Sequence, residues 1–138
     1  QTIDRLHLHN EVSLLGRIEN VADFFSFIDI FCLFSNSEGF PTVIPEAMTA
    51  RLPCLATDVG DAKLILSDEN QITVCGKKDD AYSKLSQLCL MSNDARQTVG
   101  NRNRTRITNM FTQSTMVTRY INTYQDTLSQ SMSLDRNL

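Results

Sequence analysis

Residues 30–42 read Ile30-Phe31-Cys32-Leu33-Phe34-Ser35-Asn36-Ser37-Glu38-Gly39-Phe40-Pro41-Thr42, a continuous apolar run followed at once by a polar loop. An apolar run without alternation is typical of a strand buried on both faces, as in a parallel sheet covered by helices. In an open parallel sheet, ligands bind beyond the carboxyl ends of the strands. The stretch therefore predicts both the class of fold and the place of a ligand site.

The rest of the chain alternates strand and helix patterns around this run. Asn20 is a predicted N-cap, because apolar residues follow it at helical spacing. Further strands are predicted at residues 12–15, 53–57 and 72–74, and further helices at 43–50 and 62–66. After Gly76 only helical patterns occur, at about residues 81–89, 94–110 and 117–128. We therefore predict an α/β fold, a parallel sheet flanked by helices with a helical C-terminal tail, in which residues 129–138 fray.

Composition limits the classes of function. The 138 residues suit one domain, and 41% hydrophobic with 21% charged residues is typical of a globular protein. Thirteen Lys and Arg stand against 16 Asp and Glu, a net charge of −3, which argues against a nucleic-acid partner. No apolar run approaches the ~18 residues of a transmembrane helix.

The metal-ligating residue types show no pattern that predicts a metal site. The four cysteines lie outside metal-ligand spacing and beside apolar residues, so we expect buried, reduced thiols and a cytoplasmic protein. His7 and His9 lack a third ligand nearby, and no D-x-D motif occurs. We expect neither a metal nor another cofactor.

The loop after the apolar run carries the chemistry. Gly39 allows close approach of the backbone to a ligand, and free N–H groups at the start of the following helix suit a phosphate. Glu38 and Glu46 bracket this region and could accept hydrogen bonds from hydroxyl groups. Each also has a plain structural explanation, Glu46 as an acid at a helix N-terminus and Glu38 as a solvated loop charge.

The string from Ser35 to Ala62 resembles the donor-binding signature of retaining glycosyltransferases with the GT-B fold, group 1 or family 4. Its mark is two glutamates separated by seven residues, which Glu38 and Glu46 match. The strings Glu-Ala-Met, Leu-Pro and Thr-Asp-Val-Gly follow in the family's order and spacing. The resemblance implies a Rossmann-like sheet, and it identifies residues 1–128 as part of the C-terminal domain that binds a nucleotide-diphosphate sugar of the UDP or GDP type.

The resemblance also implies a role for each matching residue. Glu46 would bind the ribose hydroxyls, and Glu38 would be the catalytic carboxylate, holding the transferred sugar beside the reacting carbon. Gly16 and Arg17 would lie near the base. The loop residues that would surround the diphosphate and sugar are Ser37, Gly39, Phe40, Pro41, Thr42 and Val43. Pro41 has no N–H to donate.

Two features depart from the family pattern. Asp61 stands where the family commonly has a second glycine, and the Arg and Lys for the leaving diphosphate would lie upstream of Gln1. The half that binds a glycan or lipid-linked acceptor would also be elsewhere. We therefore expect this chain to be inactive alone, to lack the first strands of its domain, and to self-associate or otherwise cover its open sheet edge.

Other interpretations remain open at this stage. The domain could be a non-catalytic interaction module with the same fold, or part of a sugar-nucleotide epimerase or phosphorylase. Tyr120 and Tyr124 are predicted to face the core. Arg102, Arg104 and Arg106 indicate a solvated helix face, with contact to a lipid-linked acceptor or peripheral contact to an anionic inner membrane as the alternative.

Overall fold

The computed structural model of the chain describes the backbone of residues 2–134 and the side chains of residues 2–129. The helices are α1 Thr2–Leu6, α2 Val21–Phe25, α3 Val43–Thr49, α4 Ala62–Leu66, α5 Lys78–Leu90, α6 Asn93–Met110 and α7 Gln113–Leu134. The strands are β1 Phe31–Leu33, β2 Cys54–Thr57 and β3 Ile72–Thr73, and a single 3-10 turn, Glu69–Gln71, precedes β3.

The described strands form one parallel sheet in the order β1-β2-β3. Phe31 lies opposite Cys54, and Ala56 lies opposite Ile72. Helices precede, separate and follow the strands, so the predicted parallel α/β sheet with a helical C-terminal part is confirmed. The predicted N-cap is present as well, since the Asn20 side chain accepts from the backbone N–H of Asp23 at 3.3 Å.

The core lies between β2 and the helices packed on it. All four residues of β2 are buried, and the inward faces of α3 and α4 supply Ile44, Met48 and Ile65, which have no exposed surface. The residues of β1 are only half-buried. Burial on both faces was thus predicted for the wrong strand. Within residues 2–134, β2 is the central strand, whereas β1 lies at an edge of the sheet and pairs with β2 alone.

The predicted strand at residues 12–15 is wrong. This segment has no regular structure, and Leu14 and Leu15 are 82% and 60% exposed. A strand is held by hydrogen bonds to a neighbouring strand. None of the strands within residues 2–134 pairs with this segment.

The C-terminal helix differs from its sequence-based description in length and in surroundings. Helix α7 continues to Leu134, past the predicted start of a frayed tail at Ser129, and residues 135–138 lie outside the described residues. Tyr120 and Tyr124 were predicted to be core residues, yet they are 59% and 66% exposed. Their rings stack on each other with centroids 6.4 Å apart. Val117, Ile121 and Leu128 are exposed as well, so the apolar stripe that these five residues form on α7 faces outward.

Two of the four cysteines also lie outside the core. Cys54 is buried and Cys32 half-buried, as the apolar flanks indicate. Cys75 and Cys89 are exposed, because Cys75 lies in the loop after β3 and Cys89 on the outer face of α5. The burial that apolar neighbours along the chain predict is therefore correct only for the two cysteines that lie in strands.

The three arginines of α6 contact the folded chain, and Arg102 and Arg104 are also exposed to solvent, as predicted for a solvated helix face. Arg104 donates to the Thr49 carbonyl at 3.2 Å, and Arg106 donates to the Ile65 carbonyl at 2.7 Å. Arg102 pairs with Asp68. Cations at the C-terminal ends of α3 and α4 satisfy free carbonyls and complement the helix dipoles. The basic cluster thus has an internal structural role.

No helix in the described part of the chain is long and apolar enough to cross a membrane.

Candidate functional site

The carboxyl ends of two neighbouring parallel strands bring their following loops together. We call residues 35–43, which follow β1, the donor loop, and residues 58–61, which follow β2, the β2 turn. The Asp61 N–H donates to the Gly39 carbonyl at 2.9 Å, and the Thr57 hydroxyl at the end of β2 donates to the Ser35 carbonyl at 2.6 Å. The two loops therefore form one structural unit.

Glu38 is held within the donor loop by a neighbouring hydroxyl. Ser35 Oγ donates to Glu38 Oε1 at 2.6 Å, and the carboxylate is half-buried. Across residues 2–129 no other side chain or backbone group donates to this carboxylate. One carboxylate oxygen is thus fixed, and the other is available to a ligand hydroxyl.

The backbone of the donor loop carries unused donors. The N–H groups of Phe40, Thr42 and Val43 have no hydrogen-bond acceptor among the residues that the structure describes. Pro41 is buried, and its carbonyl accepts from the Ile44 N–H at 3.0 Å, which begins α3. Free backbone N–H groups beside a glycine form the kind of concavity that binds anions.

The remaining donor-loop residues lie at the surface. Ser37, Gly39 and Thr42 are exposed, and Val43 is half-buried. The Phe40 ring is 45% exposed, and its centroid lies 6.0 Å from that of Phe111 at the end of α6. The loop is therefore accessible to a ligand and is supported from below by Pro41 and Phe111.

Glu46 lies in the first turn of α3, in different surroundings from Glu38. Its exposed side chain lines a groove of about 550 Å³ between α3, α2 and α6, together with Ala22 and Ile107. Glu38 thus lies within the donor loop, and Glu46 lies beyond it in the first turn of α3.

Gly16 and Arg17 are not joined to the donor loop. Both are exposed in the irregular segment that replaces the predicted first strand, and Gly16 has a φ of +66°. In residues 2–129 neither makes a hydrogen bond or ion pair with residues 35–43.

The thiols of the two strands that lead into the site do not support nucleophilic chemistry. Burial raises the pKa of the Cys32 thiol to about 11, and it also raises the pKa of the Cys54 thiol. Because the thiolate is the reactive form, burial disfavours the reactive form of both groups. Residues 2–129 contain no group of three His, Cys, Asp or Glu side chains that could hold a metal ion.

Three supporting residues were missed as site residues from the sequence: Ser35, Thr57 and Gly60. Ser35 orients Glu38, Thr57 holds Ser35, and Gly60 lies against the Glu38–Gly39 peptide. The available signal was position, since each follows or ends a strand at the edge of the sheet where ligands bind.

A parallel α/β sheet with its polar loops at the carboxyl edge defines a Rossmann-like domain. The fold is similar to that of sucrose-phosphate synthase from Thermosynechococcus elongatus, with a TM-score of 0.78 and 19% identity. That similarity covers 94% of this chain and 33% of the synthase chain. The family model described as glycosyl transferases group 1 matches residues 1–90, and the chain belongs to this family. The resemblance seen in the sequence is thereby confirmed.

Sequence relatives are glycosyltransferases or synthases by name. The chain is 28% identical over 130 residues to N-acetyl-alpha-D-glucosaminyl L-malate synthase of Bacillus anthracis, covering 93% of this chain and 34% of that protein. It is 34% identical over 71 residues to a putative teichuronic acid biosynthesis glycosyltransferase of Bacillus subtilis, covering 50% and 18% of the two chains. It is 35% identical over 77 residues to an Escherichia coli O-antigen biosynthesis glycosyltransferase, covering 56% and 22%. The chain spans about a third or less of the length of these relatives.

Proposed function

We propose that this chain binds the nucleotide-diphosphate sugar donor of a glycosyltransferase. The observation that carries the proposal is the donor loop, which combines Glu38 and three free N–H groups and leads directly into the helix turn that carries Glu46. N–H donors suit the diphosphate, and carboxylate acceptors suit hydroxyl groups of ribose and sugar. Membership of the glycosyl transferases group 1 family supports the same conclusion.

The two carboxylates have separate parts in the proposal. Glu46 accepts hydrogen bonds from the ribose hydroxyls, at the groove lined by α2 and α3. Glu38 accepts from hydroxyls of the transferred sugar, with its orientation fixed by Ser35. In the reaction, a fixed carboxylate stabilises positive charge that develops on the sugar ring, while the loop N–H groups stabilise the leaving diphosphate. The sugar is transferred with retention of its anomeric configuration.

The other requirements of the reaction concern the longer enzyme. We propose a UDP- or GDP-sugar as donor and a glycan or lipid-linked acceptor, in line with relatives named for O-antigen and teichuronic acid biosynthesis. No metal or other cofactor enters the proposal. We expect the 138-residue chain to bind the donor without transferring the sugar, in the cytoplasm.

Calorimetric titration of the chain with UDP- and GDP-sugars, and with UDP and GDP alone, tests the proposal. Glu46→Gln should weaken binding of the nucleoside diphosphate and of the sugar nucleotide alike. Glu38→Gln should weaken binding of the sugar nucleotide only. Each loss should be about 10- to 100-fold, because a hydrogen bond to a charged group contributes about 1.5–3 kcal/mol.

The matched control is Glu69→Gln, which removes the same charge from an exposed carboxylate paired with Lys63 at 2.8 Å. It should leave both affinities unchanged. Equal losses of affinity in Glu38→Gln, Glu46→Gln and Glu69→Gln would mean that only the net charge matters, and they would contradict the proposal. Failure of the wild-type chain to bind either the sugar nucleotides or the nucleoside diphosphates would contradict it as well.

A further inference from the structure

The end of β2 and the β2 turn contact the donor loop on either side of Glu38. The Thr57 hydroxyl donates to the Ser35 carbonyl at 2.6 Å, and the Asp61 N–H donates to the Gly39 carbonyl at 2.9 Å. Glu38 lies between these two fixed carbonyls. Its position therefore depends on residues about twenty positions further along the chain.

Gly60 lies against the peptide that carries Glu38. A Cβ at residue 60 would be 2.2 Å from the Gly39 carbonyl oxygen and 2.4 Å from the Glu38 carbonyl oxygen. Side-chain carbons do not approach other atoms within 3.0 Å, and both of these neighbours are backbone atoms. Any larger residue must therefore displace the donor loop or the β2 turn.

We propose that Gly60 is a positioning residue, which acts through the Glu38–Gly39 peptide to set where the Glu38 carboxylate meets the sugar. The inference rests on the function proposed above. The Gly39 carbonyl must retreat by at least about 0.8 Å from a Cβ at residue 60 to reach 3.0 Å. A misplacement of about 1 Å at a reacting centre can reduce a rate about 100-fold.

The chain offers a matched control at Gly76. Gly60 and Gly76 both have a positive φ, +53° and +81°, so alanine brings backbone strain at either position. A Cβ at Gly76 would meet no atom within 4 Å. Comparison of Gly60→Ala with Gly76→Ala thus separates displacement of the donor loop from strain at the glycine itself.

The first measurement is the backbone amide NMR spectrum of each full-length variant without ligand. Gly60→Ala should shift the amide resonances of Ser37, Glu38 and Gly39, and Gly76→Ala should leave them at their wild-type positions. Unchanged resonances in Gly60→Ala would overturn the inference, whatever the chain binds. If Gly60→Ala does not fold, Thr57→Val serves instead, because it removes the hydrogen bond to the Ser35 carbonyl without adding volume. It should shift the same amide resonances, and unchanged resonances would overturn the inference equally.

The second measurement is calorimetric affinity for a UDP- or GDP-sugar and for the corresponding nucleoside diphosphate. Gly60→Ala should lose at least tenfold in affinity for the sugar nucleotide and less for the nucleoside diphosphate, relative to Gly76→Ala. Equal losses for both ligands would indicate general destabilisation and overturn the positioning role. If the loop amides shift while the wild-type chain binds no sugar nucleotide, the proposed function fails and the contact between Gly60 and the loop stands.

Discussion

At the scale of single residues, a buried pair of amides connects three parts of the fold. Asn103 of α6 donates to the Leu52 carbonyl at 2.9 Å, and its carbonyl accepts from Gln71 Nε2 at 3.0 Å. Gln71 Oε1 in turn accepts from the Cys54 N–H at 2.9 Å at the start of β2. Both side chains are buried and fully partnered, so each one satisfies polar groups that water cannot reach.

Replacement of Asn103 should therefore be costly. Asn103→Ala leaves the Leu52 carbonyl and one donor site of Gln71 without this partner, and it should lower the free energy of unfolding by about 2 kcal/mol. Urea denaturation measures the change. Asn101→Ala, on the exposed side of the same helix, is the control and should change stability by less than about 0.5 kcal/mol. Equal effects of the two substitutions would contradict the role given to the amide pair.

Asp80 gives the fold a pH dependence that can be tested. The Thr73 hydroxyl and then the Val74 N–H, at 2.7 and 3.2 Å, lower the pKa of the Asp80 carboxyl below its ordinary value. A carboxyl with a lower pKa in the folded state stabilises the fold above its unfolded pKa of about 3.9. That contribution is lost as the pH falls through the folded pKa.

Urea denaturation across the acidic range measures this loss. The wild-type chain should lose more stability on acidification than Asp80→Asn, because the amide cannot ionise in either state. Asp79→Asn removes the neighbouring exposed carboxyl and should retain the wild-type pH dependence. If Asp80→Asn and the wild type lose stability in parallel as the pH falls, the assignment of this pH dependence to Asp80 is wrong.

At the scale of elements, the close packing of α6 against the turn after α3 depends on Gly100. A Cβ at this buried glycine would lie 1.8 Å from the Arg51 carbonyl oxygen. Arg51 itself has a φ of +64°, which turns the chain from α3 toward β2. Helix α6 therefore approaches backbone at a point where only a glycine fits.

Gly100→Ala should consequently destabilise the protein. At an exposed helical position, the same change stabilises by about 1 kcal/mol, because alanine has the higher helix propensity. Here overpacking should reverse the sign and lower the free energy of unfolding by about 1–3 kcal/mol. Urea denaturation decides between the two signs, and a stabilised variant would contradict the packing described for α6 and α3.

The elements that the sequence predicted are those with local signals. Helix α4 has the predicted bounds, and α2 begins directly after its Asn20 cap. The strand at residues 12–15 failed because a strand also needs a neighbour, which local sequence does not contain. The stripe of α7 was recognised as apolar, but periodicity shows only that a face exists, and whether another element covers it depends on the tertiary structure.

At the scale of the whole molecule, the candidate site was predictable from the sequence where its residues are close together along the chain. Glu38, Gly39 and the loop N–H groups lie within a few residues of each other, and the end of a buried strand indicated their place. The supports from Thr57 and Gly60 join positions about twenty residues apart, so they became visible only in the folded chain. Gly16 and Arg17 make no hydrogen bond or ion pair with the loop among residues 2–129, and the strand predicted to precede them is not formed.

The arrangement of the whole sheet determines which surface of the domain is available to bind a donor. The described sheet has its ligand edge formed by the donor loop and the β2 turn, and β1 leaves one sheet edge unpaired among residues 2–134. The chain spans about a third of the structurally similar synthase chain, so acceptor binding and transfer remain proposals. Donor binding is the part of the account that this chain can test directly.

The most direct test is a titration of the isotopically labelled chain with UDP- and GDP-sugars, followed by backbone amide NMR. The account predicts that one of these donors shifts the amide resonances of Phe40, Thr42 and Val43 most strongly, with smaller shifts at Glu38 and Glu46. The amides of α6 around Arg102 should remain in place. Absence of shifts in residues 37–46 with every donor, or shifts confined to another surface, would contradict the central claim that the donor loop binds a nucleotide-diphosphate sugar.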